Sequence, residues 1–212
     1  MPPPGTHRRI VVERSLVDDV PAQLAALQAA AGDGRPAALA AAVVAAAVVE
    51  SGGRGDAEVR LDVQVPRRDP GFADSVGPFG TVVALRSTVA GTGTELLDRV
   101  RDALGSAGRA TRPARTLVRH EPAGDPPAFD GLTAERVDPA EPVIAHERVV
   151  TLVEHPGAGG VSLRLAVDAA ACDAAGAAAL VRRLAGALDA LLRDPAAPVS
   201  DPGTAPRAAG RR

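Results

Sequence analysis

The sequence predicts an α/β chain: a two-layer sandwich in which a mixed β-sheet carries helices on one face. Three observations carry this expectation. Segments with the period-2 alternation of strands are interleaved with longer Ala- and Leu-rich runs of helical length. A hairpin signal at Pro156–Gly160 falls late, between two aliphatic runs, so part of the sheet must be antiparallel. The order strand, helix, helix, strand, strand, helix, strand, hairpin, helix does not fit a dinucleotide-binding unit, and no Gly-x-Gly-x-x-Gly opens a helix.

Taken in order, residues 1–8 read as a disordered lead, and Arg9–Leu16 alternates as a strand. Asp18 or Asp19 caps a helix from about Pro21 to Ala31, which Gly32-Asp33-Gly34 stops. Pro36 suits the first turn of a second helix, Ala37–Glu50, apolar nearly all round and so expected to be buried on several sides. Glu58–Val65 sets Val59, Leu61, Val63 and Val65 against Arg60, Asp62 and Gln64, the pattern of a half-buried strand. A turn over Pro66–Pro70 and the segment Val76–Phe79 lead to the strand Thr81–Arg86. Glu95–Leu104 is a helix with Thr92 or Thr94 as cap.

Residues 105–130, rich in Pro, Gly and charge, hold one strand at Arg115–His120. His146–His155 and Val161–Val167 form the arms of the hairpin. The last helix, Ala174–Leu192, places Leu180, Leu184, Leu188 and Leu191 on one stripe and ends at Asp194-Pro195. Residues 9–195 therefore make one domain, and 196–212 reads as a disordered tail.

Composition narrows the function. A chain of 212 residues is long enough to bury a sizeable core. With Phe72, Phe79 and Phe129 its only aromatics, that core must be aliphatic, and its many Ala residues require elements to approach closely. The net charge of −2, with both signs interspersed, lacks the basic stripe that nucleic-acid binding needs. The start Met1-Pro-Pro-Pro-Gly has no apolar signal-peptide core, and the longest apolar run, Ala37–Val49, is too short to span a bilayer. A single cysteine excludes an internal disulfide and a multi-Cys metal site. The expectation is a soluble cytoplasmic protein that binds neither nucleic acid nor membrane.

Four stretches form an ordered set. They are the helix Ala37–Val49, the strand Glu58–Val65 running on through Pro66 to Arg67-Arg68, the segment Val76-Gly77-Pro78-Phe79 with the strand Thr81–Arg86, and Asp168-Ala-Ala-Ala-Cys-Asp173-Ala174 with its following helix and Asp194-Pro195. In this order they resemble the C-terminal lobe of a nonribosomal peptide synthetase condensation domain, of the chloramphenicol-acetyltransferase-like superfamily. The likeness runs from about Arg9 to Asp201.

The resemblance implies half of a V-shaped molecule with two such lobes. The N-terminal lobe of such domains carries His-His-x-x-x-Asp-Gly, whose second His acts at the amine attacking a carrier-bound thioester. The C-terminal lobe supplies the other tunnel wall and a surface for a carrier protein, and its own copy of the motif is degenerate. Here Asp168 and Ala169 stand at the two His positions, and Asp173 alone remains. A general base for an amine must take a proton near neutral pH, as His does. Ala169 cannot, and Asp168 is too acidic unless strongly desolvated. No catalytic residue is therefore assigned.

The resemblance marks Arg68, Gly77, Phe79, Arg86 and Asp173 as structural or interface positions, with Arg68 or Arg86 as the partner of Asp173. The competing and preferred reading is that Asp173 caps the last helix. The chain departs from the family pattern in the short, Pro-rich 105–130 segment and in Gly80-Thr81 where many members carry Asn. His120, His146 and His155 lack ligand spacing and suggest no metal site. Cys172 has no His near in sequence and reads as a small packing residue.

Three functions are expected, in this order. The first is a separately encoded C-terminal lobe that works with an N-lobe protein or a peptidyl carrier protein, as a hetero- or homo-oligomer, in peptide natural-product assembly. It binds no cofactor of its own and meets at most the carrier's phosphopantetheine arm. The second is a non-catalytic platform recruiting carrier or tailoring proteins. The third is an oligomeric CoA- or carrier-dependent acyltransferase, which would need His146 or His155 as its base.

Overall fold

The computed structural model describes residues 9–17, 19–31, 37–66, 80–122, 146–155 and 160–199. Among the described residues six strands and four helices follow one another as β1 (Arg9–Ser15), α1 (Val20–Ala31), α2 (Ala37–Ser51), β2 (Glu58–Pro66), β3 (Gly80–Thr88), α3 (Gly93–Ser106), β4 (Thr116–Glu121), β5 (Arg148–Glu154), β6 (Val161–Asp168) and α4 (Ala174–Arg193). The strands form one mixed sheet in the order β1-β6-β5-β4-β2-β3. β4 runs parallel to both β2 and β5, and the other pairings are antiparallel.

The helices pack on one face of this sheet, as the alternation predicts. Leu61, Val63, Leu85, Val118, Val150, Leu152, Leu163 and Leu165 point into a core shared with all four helices. Among the described residues the opposite face carries a small apolar cluster of Leu117, Val149 and Ala166. β5–β6 is the expected hairpin: Glu154 pairs with Val161, and His155 N–H donates to the Gly160 carbonyl at 2.9 Å. The turn residues 156–159 lie outside the described residues.

α2 is the spindle of the domain. Every residue from Ala37 to Ser51 except Glu50 is buried, because the helix contacts α1, α3 and α4 as well as β2, β4 and β5. Alanine and valine allow so many neighbours to approach. Two glycines with positive φ, Gly52 (62°) and Gly53 (76°), reverse the chain at its end. Glu50, the one side chain at the rim, accepts hydrogen bonds from Thr116 Oγ1 (2.6 Å) and the Arg148 guanidinium (2.7 Å).

α3 starts on a capping box. Thr92 Oγ1 accepts from the Glu95 N–H, and the Glu95 carboxylate accepts from the Thr92 N–H. The backbone bond foremost, these two contacts with Thr92 hold the Glu95 carboxyl below its ordinary pKa.

Two expectations are corrected. The first concerns the tail. The chain does not leave the fold at residue 196: Ala197 O accepts from Gly93 N–H, Val199 N–H donates to Gly91 O, and Pro198 bridges to Thr92. The start of α3 has open backbone groups, and the segment after α4 supplies their partners. Residues 1–8 and 200–212 lie outside the described residues.

The second concerns Asp62, expected on a polar strand face and found 1% exposed. The side of β2 away from the helices is covered there by Ala114 and His146, which both hydrogen-bond its carboxylate.

Candidate functional site

The degenerate corner lies between β6 and α4. β6 ends at Asp168, whose N–H donates at 2.9 Å to the carbonyl of Glu147, the residue before neighbouring β5. A tight turn follows: Ala171 and Cys172 N–H both reach the Asp168 carbonyl, and Asp168 Oδ1 accepts from Ala170 N–H at 2.9 Å. Asp173 is the N-cap of α4, with Oδ1 accepting from Gly176 N–H at 2.7 Å. A Cβ at Gly176 would stand 2.8 Å from Cys172 Sγ and 3.1 Å from Asp173 Oδ1, so a larger residue there must displace those side chains. The Cys172 thiol donates to the Asp173 carbonyl at 3.4 Å.

Asp168 Oδ1 thus serves the turn and Asp173 Oδ1 the cap, and Ala169 offers only a methyl group. Beside them, Arg115 Nε holds Glu147 Oε2 at 2.6 Å, and the carboxylate raises the pKa of that guanidinium. Among the described residues the corner carries no imidazole.

The three described histidines all have other partners. His146 lies two residues before β5, at the same end of the sheet as Asp168. Its Nε2 is 2.8 Å from Asp62 Oδ2, and its side chain is 8% exposed. His155 stands at the far end of β5, with Nε2 2.9 Å from Ser162 Oγ. His120, near the end of β4, bonds Glu154 at 2.9 Å. The acyltransferase expectation required His146 or His155 to reach the cleft; in this structure His146 is held by Asp62 and His155 by Ser162.

Arg86 is not the partner of Asp173. It sits on the edge strand β3, 3.8 Å from Glu58. β3 stands four places from β6 in the sheet, roughly 19 Å at the usual spacing of about 4.8 Å per strand. Arg68, Gly77 and Phe79 lie outside the described residues.

Sequence reasoning missed the Asp62–His146 and His120–Glu154 pairs. Their members are 84 and 34 residues apart, and only the parallel pairings around β4 bring them together. The one local sign was an acidic residue among the aliphatic residues of β2.

The fold is that of condensation-type domains. The chain superposes with a TM-score of 0.67 on the X-domain solved in complex with OxyB from teicoplanin biosynthesis, at 20% identity, covering 91% of this chain and 47% of that one. For the condensation domain of the monacolin K polyketide synthase MokA the TM-score is 0.69, at 13% identity, with 94% and 52% covered. For the SgcC5 protein of Streptomyces globisporus the values are 0.68, 16%, 91% and 50%. No protein-family model and no curated protein matches the sequence.

The chain therefore has the fold of one lobe of a condensation domain and spans about half the length of those structures. This agrees with the C-terminal lobe that its motifs resemble. Among the described residues no helix is long and apolar enough to cross a membrane.

Proposed function

We propose that this chain acts as the C-terminal lobe of a condensation-type assembly in nonribosomal peptide biosynthesis, completed by an N-lobe that carries His-His-x-x-x-Asp-Gly. The N-lobe supplies the proton acceptor for an amine attacking a carrier-bound thioester, and this chain supplies the facing wall and a surface for the carrier protein. The observation that carries the reading is the β6–α4 corner, where Asp168 and Ala169 stand at the imidazole positions, Asp168 Oδ1 holds a turn and Asp173 Oδ1 caps a helix. A lobe built this way forms no amide bond alone.

The test is reconstitution. The chain is mixed with a protein bearing the intact motif and with acyl- and aminoacyl-loaded carrier proteins, and product is followed by mass spectrometry. Peptide formed only when chain and motif-bearing partner are both present supports the reading. Amide formation by the chain alone overturns it, as does failure to bind either partner.

A second reading is recruitment of a tailoring protein. The X-domain resembling this chain was solved bound to one protein, OxyB, of the same biosynthesis. Capture of a tailoring enzyme encoded beside this chain, with no effect of the chain on condensation, would favour that alternative.

A further inference from the structure

The sheet has two edges, and they are finished differently. Along β3, Ala84 N–H donates to the Gly108 carbonyl and Ala110 N–H to the Val82 carbonyl, so residues 108–110 cover that edge. β1 forms the other edge, and among the described residues no segment pairs with its outer side. The large hydrophobic side chains left exposed among the described residues, Val11 (55%) and Val17 (57%), both lie on β1 or just beyond it.

The ladder to β6 shows which backbone groups are open. Leu16 N–H donates to the Val161 carbonyl at 2.9 Å. In the same register Arg14, Val12 and Ile10, at steps of two, also turn their N–H and C=O toward β6. Arg9, Val11, Glu13 and Ser15 turn theirs the other way, off the sheet. The Ile10 and Val12 side chains pack on the core. Val11 and Glu13 stand on the opposite face, where Glu13 reaches Ser162 and Arg164. Two usual guards of an edge are missing: β1 contains no proline, and its register with β6 runs unbroken over all seven residues, without a bulge.

We propose that β1 pairs antiparallel with β1 of a second copy of this chain about a two-fold axis, so that the sheet continues through both molecules. The residues whose backbone points outward must form the hydrogen-bonded pairs, so odd-numbered positions meet odd-numbered positions. With the axis at Val11, Val11 meets Val11 on one face, Ile10 meets Val12 on the other, and Arg9 stands opposite Glu13. A slip of two residues sets Val11 against Glu13 and Ile10 against Arg14, and a further slip sets Glu13 against Glu13. The register centred on Val11 therefore matches apolar side chains with each other and charged ones with the opposite sign. Beyond it Arg14 would oppose Arg8, which limits the pairing to Arg9–Glu13. So short an interface lies below the standard size of about 1,600 Å² and makes a weak, concentration-dependent dimer. This inference does not depend on the function proposed above.

Sedimentation velocity is run on the full chain from about 1 μM to about 1 mM, the span of weak complexes. A reversible monomer–dimer equilibrium is expected. Val11→Lys, which places a solvated charge at the axis, should weaken it at least about tenfold, with folding checked by circular dichroism. Cysteine cross-linking with copper–phenanthroline reads the register. In a Cys172→Ser background, Val11→Cys should oxidise to a disulfide-linked dimer, because the two copies of this position face each other at about 5.5 Å between Cα atoms. Ser15→Cys, exposed on the same face, should stay monomeric, since its two copies lie roughly 26 Å apart along the strands at about 3.3 Å per residue.

The proposal is overturned if the chain is monomeric at every concentration, if folded Val11→Lys dimerises as tightly as the parent, or if Ser15→Cys cross-links as fast as Val11→Cys. A monomeric chain whose Val11→Lys variant no longer binds the motif-bearing partner would assign this edge to that partner instead. Should Val11→Lys not fold, the concentration series and the two cysteine variants decide the matter.

Discussion

Asp62 holds His146 by one edge only. Asp62 Oδ2 accepts from His146 Nε2 and from Ala114 N–H, each at 2.8 Å. Asp62 Oδ1 and His146 Nδ1 are buried and make no hydrogen bond. The pair links β2 to the start of β5 across β4, so removing one member strands a buried polar group. Asp62→Ala is expected to cost about 3 kcal/mol and His146→Ala a comparable amount. In a double-mutant cycle followed by urea unfolding, the two should couple by about 1 kcal/mol or more. Additive losses would show that the two side chains act independently.

Acid should weaken the outer face of the sheet through Glu13. Its carboxyl sits below the ordinary value of 4.5, chiefly because Ser162 Oγ donates to it at 2.5 Å and, against the opposing effect of burial, because Arg164 Nε lies 3.1 Å away. A carboxyl with a lowered folded-state pKa adds stability that is present above the unfolded value and is lost as pH falls through the folded one. Glu13 is partly exposed, so the effect is small. The urea midpoint of Glu13→Gln should lie below that of the parent at pH 7, and the gap should close as pH drops under 4.5. Ser162→Ala should reproduce most of the difference. A gap that stays constant with pH would remove the carboxylate from the explanation.

Where α3 begins, α4 ends. A Cβ on Gly93 would stand 2.6 Å from Leu191 Cδ1 and 2.9 Å from the Pro195 carbonyl oxygen. Gly93→Ala must therefore push the two helices apart, at a cost of about 2 kcal/mol. Thr92→Ala removes only the cap and should cost about 1 kcal/mol. Thermal melts that rank these variants the other way would place the strain elsewhere.

Asp173 can be separated from catalysis by the same logic. As an N-cap it is replaceable by Asn or Ser, whereas Asp173→Ala should lose about 1 kcal/mol of stability. In the reconstituted condensation assay, Asp173→Asn should give product at the parental rate. A drop of about tenfold in rate with unchanged stability would mean that the carboxylate meets the reacting groups.

What could be read from the sequence was local. The strands and helices were legible because aliphatic alternation and caps such as Thr92 and Asp173 lie within a few residues of what they control. The β6–α4 corner was legible for the same reason, being one turn of contiguous chain. The burial of Asp62 was not, since it depends on Ala114 and His146, which reach β2 only through the sheet order. The docking of residues 196–199 on α3 was hidden as well: Ala-Ala-Pro-Val after Asp194-Pro195 resembles the start of a tail, and the partners are backbone groups that composition does not reveal. The pairing of His120 with Glu154 needs β4 and β5 laid side by side in parallel, a packing that no spacing in the chain specifies.

Shielding of α2 from water on all sides makes that helix the timekeeper of the whole domain. Its amide protons can exchange with solvent only when the sheet and the other three helices let go together. In deuterated buffer the alanines and valines from Ala41 to Val48 should be the last to take up label, at the rate set by global unfolding. With no tryptophan or tyrosine to report by fluorescence, those amides offer the natural gauge of whether a ligand or partner has tightened the fold.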